Sequence, residues 1–467
     1  MAKRLVLTIS VLLAAALSGC GSGDDSGPGI TFVRGIHAVP DAPNLVAELN
    51  AYVVAPSLPY ARASQFAIES FDGGRAGRRI RVTPVLPELE PTEPVLDEEV
   101  TLRDGTEASF IFFGSLDAME FIQVETPRRL RPISGLYLQF AHVASSLGAL
   151  DVYATAPDTD LTATSPLFTV APGEHTESVE VPVADLRIRM APTGTLDVVF
   201  DSGAIELDDP TGNFGEEFLM TVIDTLTPGG SPVKLLAGNS FGSFVTFADQ
   251  DAPAGLRVVH ASQDTPPFDV VIGDNFGSPL ATNVSYKDAT AMAEAPSGAV
   301  NLNFTVPGST TEFVFEEQVE LTADAQHTLW LIGKNESLDA LTVAADRRSI
   351  GTEARIRLAN AAPDGNFFSL YLEETAASPP NVEDRVFVDV PFGFVTGYTP
   401  LLPATYQLTL TERFYTVGED PNAAEETIIV GPVEITLDGG DVLTFLVLPP
   451  ETAGGTETLE TYDDAGP

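Results

Sequence analysis

Three of the five histidines in this 467-residue chain stand at one repeated position, and an oxygen-bearing side chain follows each of them four residues later. His37, His142 and His260 precede Asp41, Ser146 and Asp264, and a fourth copy carries Asn360 and Asp364. Imidazole nitrogen with carboxylate oxygen is metal-ligand chemistry of the zinc type. Two ligands per repeat are too few to close a site, and Asn360 and Ser146 break the set. The same residues also suit backbone chemistry. An imidazole or amide can close the end of a strand by bonding a main-chain group, while the aspartate caps the turn that follows. That structural role is the one expected for His37, Asp41, His142, His260, Asp264, Asn360 and Asp364, with no metal or cofactor.

Two further patterns invite chemistry. Gly238-Asn239-Ser240-Phe241-Gly242 satisfies G-x-S-x-G, the nucleophile elbow, which requires a sharp turn from strand into helix. Here Ser243-Phe244-Val245-Thr246 follows, with no helical continuation, and the order of Asp249, Asp251 and His260 gives no reason to expect a triad. A serine hydrolase is therefore kept only as an alternative, with no catalytic residue assigned. Glu206-Leu207-Asp208-Asp209 with Asn213, and Asp249-Gln250-Asp251, could place calcium at module junctions. Calcium needs six to eight oxygens from a defined loop, and neither segment has an EF-hand or nonapeptide pattern. A calcium-dependent adhesin is the other alternative.

The elements that carry these residues repeat with them. Phe32 to Asp41 reads FVRGIHAVPD, Leu138 to Ser146 LQFAHVASS, Leu256 to Asp264 LRVVHASQD and Ile356 to Asp364 IRLANAAPD. The copies lie roughly 100 to 120 residues apart, the size of a small domain rather than of a solenoid repeat. Short runs rich in β-branched and aromatic residues alternate with Gly, Pro, Asp and Asn clusters, and 39 Gly and 36 Pro are spread throughout. This composition predicts an all-β chain of four tandem immunoglobulin-like β-sandwiches.

Corresponding middle strands are expected at 79–82, 186–190, 300–304 and 406–410, and closing strands at 109–113, 219–223, 328–332 and 443–448. The first three modules add a partner strand, at 121–124, 233–236 and 341–344. The fourth is expected to end at Pro449-Pro450. The layout is a signal peptide at 1–19, a tether at 20–29, sandwiches at 30–130, 131–251, 252–351 and 352–450, and a disordered acidic tail at 451–467. Trp330 and the run Phe110, Phe112, Phe113 are read as core. Four such modules in line would extend on the order of 100 to 150 Å.

Lys3 and Arg4, an apolar run from Leu5 to Leu17 and then Ser18-Gly19 have the layout of a secretory signal. Leu17-Ser18-Gly19-Cys20 resembles a bacterial lipobox, so Cys20, the only cysteine, is expected to be acylated and to tether the protein to a membrane, with no disulfide to support the fold. Gly21 lacks the aspartate of the inner-membrane retention signal, which favours the outer membrane. A formal net charge of −43 argues against nucleic acid as a partner. Arg75, Arg78, Arg79, Arg81, Arg128, Arg129 and Arg131 make the first module the least acidic one.

VVHASQDTP followed by DVVI in the third repeat, and VPFGFVTGY with LPATYQLTL in the fourth, resemble the bacterial family called domain of unknown function 4397. The resemblance is strong in modules three and four, degenerate in one and two, and extends over most of the chain as repeated copies. It implies immunoglobulin-like sandwiches in exported proteins, commonly in tandem behind a signal or lipoprotein anchor, and it carries no activity or site residues. Together these readings point to an exported, lipid-anchored envelope protein with a structural or binding role toward an envelope protein or polysaccharide.

Overall fold

The computed structural model describes residues 3–4, 28–128, 135–181, 185–206, 216–227, 229–240, 242–334, 337–363, 367–414, 426–450 and 455–465. Among them the regular structure is strand, relieved only by three short 3-10 turns. Cys20 and nearly all of the expected signal and tether lie outside the described residues, as do Asp208, Asp209, Asn213 and Asp364.

The third module shows the plan. One sheet orders Ala293–Ala295, Ala254–His260, Gln326–Lys334 and Ser337–Ala344; the other orders Ala281–Val284, Phe268–Ile272, Gly298–Thr305 and Phe313–Leu321. The opening strand runs parallel to the closing strand, with Val258 opposite Leu329. The same parallel pair recurs as Gly29–His37 with Thr106–Ser115, Leu136–His142 with Glu216–Asp224, and Ala354–Asn360 with Val442–Leu448. Successive strand residues face opposite sides. Leu256 and Val258 therefore enter the sandwich core with Phe268, Leu302, Phe304 and Leu331, and Arg257, Val259 and Ala261 face away from it. Comparable cores fill the other three sandwiches, around Val33 and Phe110, around Phe140 and Met190, and around Leu358 and Phe445.

Every residue of Ala254–His260 and of Ala354–Asn360 is buried, which a sheet with one wet face cannot achieve. A neighbouring sandwich covers the second face. The chain divides into two compact units, one made of Met1–Val85, Glu90–Leu226 and Gly230–Asp251, the other of Ala252–Pro467 with Leu86–Leu89 and Thr227–Gly229. In the first, Ile36, Ala38, Ile111 and Val124 of module 1 pack against Ala141, Val143, Leu219, Ile223 and Leu236 of module 2. In the second, Val259, Ala261, Trp330 and Ile332 of module 3 pack against Ala359, Ala361, Leu446 and Leu448 of module 4. The end-to-end arrangement expected of successive modules is therefore corrected within each unit. Apolar residues on the outer faces of the opening and closing strands are taken out of water only when two sandwiches meet sheet to sheet, at roughly 1.5 to 3 kcal/mol for each large side chain. Trp330 belongs to this seam rather than to its own sandwich core.

The disordered acidic tail is likewise corrected. Thr458–Asp463 is a strand that pairs antiparallel with Val442–Leu448, so the fourth module has the partner strand of the other three. The segment TLETYD looks polar because it is an edge strand, with Glu460 and Asp463 set among Thr, Leu and Tyr. Residues 451–454 lie outside the described ones.

Candidate functional site

The two seams bury long polar and charged side chains. Three residues before each repeat histidine or asparagine stands a long polar side chain: Arg34, Gln139, Arg257 and Arg357, all buried. The parity of the opening strand turns each of them into the seam, because the histidine position faces the core and an odd offset faces away.

In the second unit Arg257 and Arg357 converge on one carboxylate. Arg357 Nη2 donates to Asp464 Oδ2 at 2.8 Å, and its Nε donates to Thr444 Oγ1 at 2.7 Å. Arg257 donates to Asp464 Oδ1 and, at 3.0 Å, to the carbonyl of Asp463. The hydroxyls of Tyr398 and Thr444 donate to the second carboxylate oxygen. The Arg357 guanidinium lies 4.9 Å from the Trp330 ring centre and 4.5 Å from that of Tyr398, a cation–π sandwich. Asp464 is fully buried. Burial works against its ionised form, but Arg257, Arg357 and the two hydroxyl donors outweigh it and hold the carboxyl below its usual range. At the rim, Lys287 of module 3 reaches Glu460 of module 4 at 2.7 Å, and the Tyr462 hydroxyl donates to the Lys287 carbonyl at 3.0 Å.

In the first unit Arg34 Nε donates to Ser109 Oγ at 2.8 Å, and its terminal nitrogens donate across the seam to the carbonyls of Asn239 at 3.2 Å and Gly238 at 3.4 Å. Burial lowers its pKa to about 10, with Glu107 pulling the other way. A side chain at position 238 would place its Cβ 2.7 Å from the guanidinium, so any larger residue there would force Arg34 to shift. Module 2 supplies Gln139, which accepts from Thr126 of module 1 at 2.6 Å and donates to the Thr176 carbonyl at 2.8 Å. Both seams also reuse one tyrosine contact. Tyr60 donates to the Asp224 carbonyl and Tyr286 to the Pro449 carbonyl, each at 3.5 Å.

The repeat histidines face the sandwich side of the same strands. His37 Nε2 donates to the Pro43 carbonyl at 3.0 Å and its Nδ1 accepts from the Val39 amide at 3.1 Å; His260 does the same with Thr265 at 3.2 Å and Ser262 at 3.4 Å. His142 Nε2 meets the Gly148 carbonyl at 3.0 Å. Asn360 replaces both contacts with its amide, donating to Val390 and accepting from Ala362. The acidic partners go elsewhere. Asp41 accepts the Leu116 amide in the closing hairpin of module 1, and Asp264 accepts the Ser262 hydroxyl. The described residues contain no group of three or more His, Cys, Asp or Glu placed to hold a metal ion. Asp249 spends both carboxylate oxygens on the amides of Asp201 and Asp251.

Because module 4 performs the histidine's work with an amide, His260→Asn is expected to cost about 1 kcal/mol and His260→Ala about 2 to 3 kcal/mol, the latter leaving buried groups without partners. Urea midpoints of the two variants check this order. Burial lowers the His260 pKa, so the unfolded chain takes up the proton first. This contribution to stability is whole above about pH 6.5 and declines as pH falls below it.

Gly238 to Gly242 is a hairpin. It joins Val233–Asn239 to Phe244–Phe247, with Gly238 opposite Phe244 and the Asn239 side chain accepting the Ser243 amide at 2.9 Å. Phe241 lies outside the described residues. No helix follows, and the Ser240 hydroxyl bonds Glu107, the carboxylate that faces Arg34. The pentapeptide is thus seam architecture and lacks the geometry of an elbow. Arg34, Arg257, Arg357 and Asp464 carried no assignment from sequence. The available signal was an arginine at a fixed offset inside an otherwise apolar strand.

Comparison with known proteins fits this plan. A family model described as Domain of unknown function (DUF4397) matches residues 31–153 and 254–371, about half of the chain. Each match begins in the opening strand of one module and ends in the second strand of its partner, and so includes both opening strands of a seam. Module 1, where the resemblance looked degenerate, is matched as fully as module 3. No curated protein matches the chain. Among solved structures, the Bacillus anthracis TIE protein aligns over 90% of this chain and 68% of its own at 12% identity, with a TM-score of 0.15. With two tandem matches, each anchored on the strands that build a seam, the chain belongs to the DUF4397 family.

Proposed function

We propose that this is an exported cell-envelope protein, held at the outer membrane through acylated Cys20, whose β-sandwich modules serve a structural or binding role and catalyse no reaction. The observation that carries the reading is the investment of buried charge in the seams. Arg34, Arg257, Arg357 and Asp464 lock modules into pairs, which gives rigid platforms whose outer sheets and loops remain for an envelope protein or polysaccharide. The lipobox-like Leu17-Ser18-Gly19-Cys20 supplies the attachment.

Cys20→Ser is expected to abolish incorporation of labelled palmitate and to move the protein from the membrane fraction into the soluble one. Continued labelling and membrane retention of that variant would remove the anchor from the reading. Ser240→Ala is expected to leave hydrolysis of p-nitrophenyl butyrate at background, unchanged from the parent; a measurable activity lost on substitution would reinstate the hydrolase.

A further inference from the structure

A cavity of about 660 Å³ opens on the outer face of module 4, away from the seam. Its floor is the sheet ordered Arg385–Val390, Phe367–Glu373, Ala404–Arg413 and Glu426–Leu437. Phe368, Leu370, Leu408 and Leu410 point into the sandwich core. Tyr371, Thr411 and Arg413, of opposite parity, therefore face the cavity. Ser378, Pro379 and Pro380 and the turn Val382–Asp384 form its wall.

Glu426 is saturated by its neighbours. One oxygen accepts from Arg413 and, at 2.9 Å, from Arg385; the other accepts from Tyr371 at 2.5 Å and Thr411 at 3.2 Å. Burial and then Glu426 push the Tyr371 hydroxyl up to about 12, so it remains a donor at neutral pH. Arg413 also reaches Asp389 at 3.4 Å, so the two guanidinium groups are matched by two carboxylates, and the open capacity of the lining is the donor that Arg385 leaves unused. Arg385 commits one terminal nitrogen to Glu426 and stacks 5.1 Å from the Tyr371 ring centre, while its buried Nε finds no acceptor among the described residues. A buried donor of this kind is costly unless something else accepts from it. Beside it, Val382 and Ile428 are exposed apolar side chains, and Pro379 and Pro380 continue the apolar wall.

We propose that this cavity binds a small organic carboxylate with one apolar face, of the size of a sugar acid. The planar fork of Arg385 matches a carboxylate in bidentate geometry, and the proline-lined wall suits the C–H face of a ring. The volume lies in the range of small-molecule sites, about 300 to 1,000 Å³. A single negative charge is selected because the acidic remainder of the protein repels polyanions. This site stands apart from the seams and does not depend on the anchor or platform reading.

The test is isothermal titration of the intact protein with sodium glucuronate and sodium benzoate, using glucose and benzyl alcohol as uncharged matches. At least one carboxylate is expected to bind, and tenfold or more tighter than its uncharged match. Arg385→Gln is expected to weaken that binding at least tenfold. Val382→Trp, which fills the mouth from an exposed position and touches no ion pair, is expected to do the same and decides the matter should Arg385→Gln fail to fold. Binding of neither carboxylate, equal binding of charged and uncharged members, or full affinity in the Val382→Trp protein would overturn the proposal.

Discussion

Asp464→Ala is expected to lower the stability of the second unit by about 3 to 5 kcal/mol, the cost of removing one partner from a buried ion pair. The substitution strips the shared carboxylate from Arg257 and Arg357, which are buried, and from the hydroxyls of Tyr398 and Thr444. Against a typical domain stability of about 5 to 15 kcal/mol, this is a large fraction. Trp330 is the only tryptophan and lies over Arg357 in the same seam, so its emission during urea unfolding reports the second unit directly. An unchanged midpoint would show that Asp464 does not hold the seam. Adding Arg257→Met and Arg357→Met to Asp464→Ala should recover much of the loss, because the cost arises from orphaned charge rather than from a missing attraction.

The same carboxylate sets an acid limit. Its folded pKa lies below its unfolded value, so the stabilisation it contributes is complete above about pH 4 and disappears as pH falls further. The difference in unfolding free energy between the parent and Asp464→Asn should therefore narrow below about pH 4 and stay constant between pH 5 and 8.

Ile36→Asp is expected to cost the first unit at least about 4 kcal/mol by placing an unpaired carboxylate among Ile111, Ala141, Leu219 and Leu236. Ile36 is 1% exposed yet contributes to no sandwich core, so the damage falls on the pairing of modules 1 and 2. Hydrogen exchange should show the opening strands of both modules losing protection, while Leu45–Leu49 and Leu150–Thr155, in the sheets away from the seam, retain theirs. Ile36→Val, at about 0.5 to 1.5 kcal/mol, serves as the control for simple loss of volume. Equal loss of protection in both sheets of a module would mean that the seam and the sandwich cores are not separable.

Strand type, module repeat and turn positions could be read from composition and period alone, since β-branched runs between Gly, Pro and Asp clusters admit little else. The histidine position was also legible, because a side chain that recurs at one strand end in three copies, with an amide in the fourth, suits backbone bonding. The run Arg257-Val258-Val259-His260 likewise read as a strand. Its covering partner was beyond reach, because a two-residue period tells which side a residue takes but not what lies there. Arg34 and Arg357 therefore carried no assignment from sequence, although each is buried against a partner module.

Thr458–Asp463 and Asp464 mark the same boundary at the other end of the chain. Six residues of mixed Thr, Glu and Tyr have neither the hydropathy nor the length to declare a strand, and they became one only because Val442–Leu448 left an edge to pair. Local order, module count and the family likeness came from short-range pattern, which depends on neighbours in the chain. The joining of modules into units, and the burial of charge that holds them, came from contacts more than 100 residues apart, where two outer faces each too apolar for water could be covered only by one another.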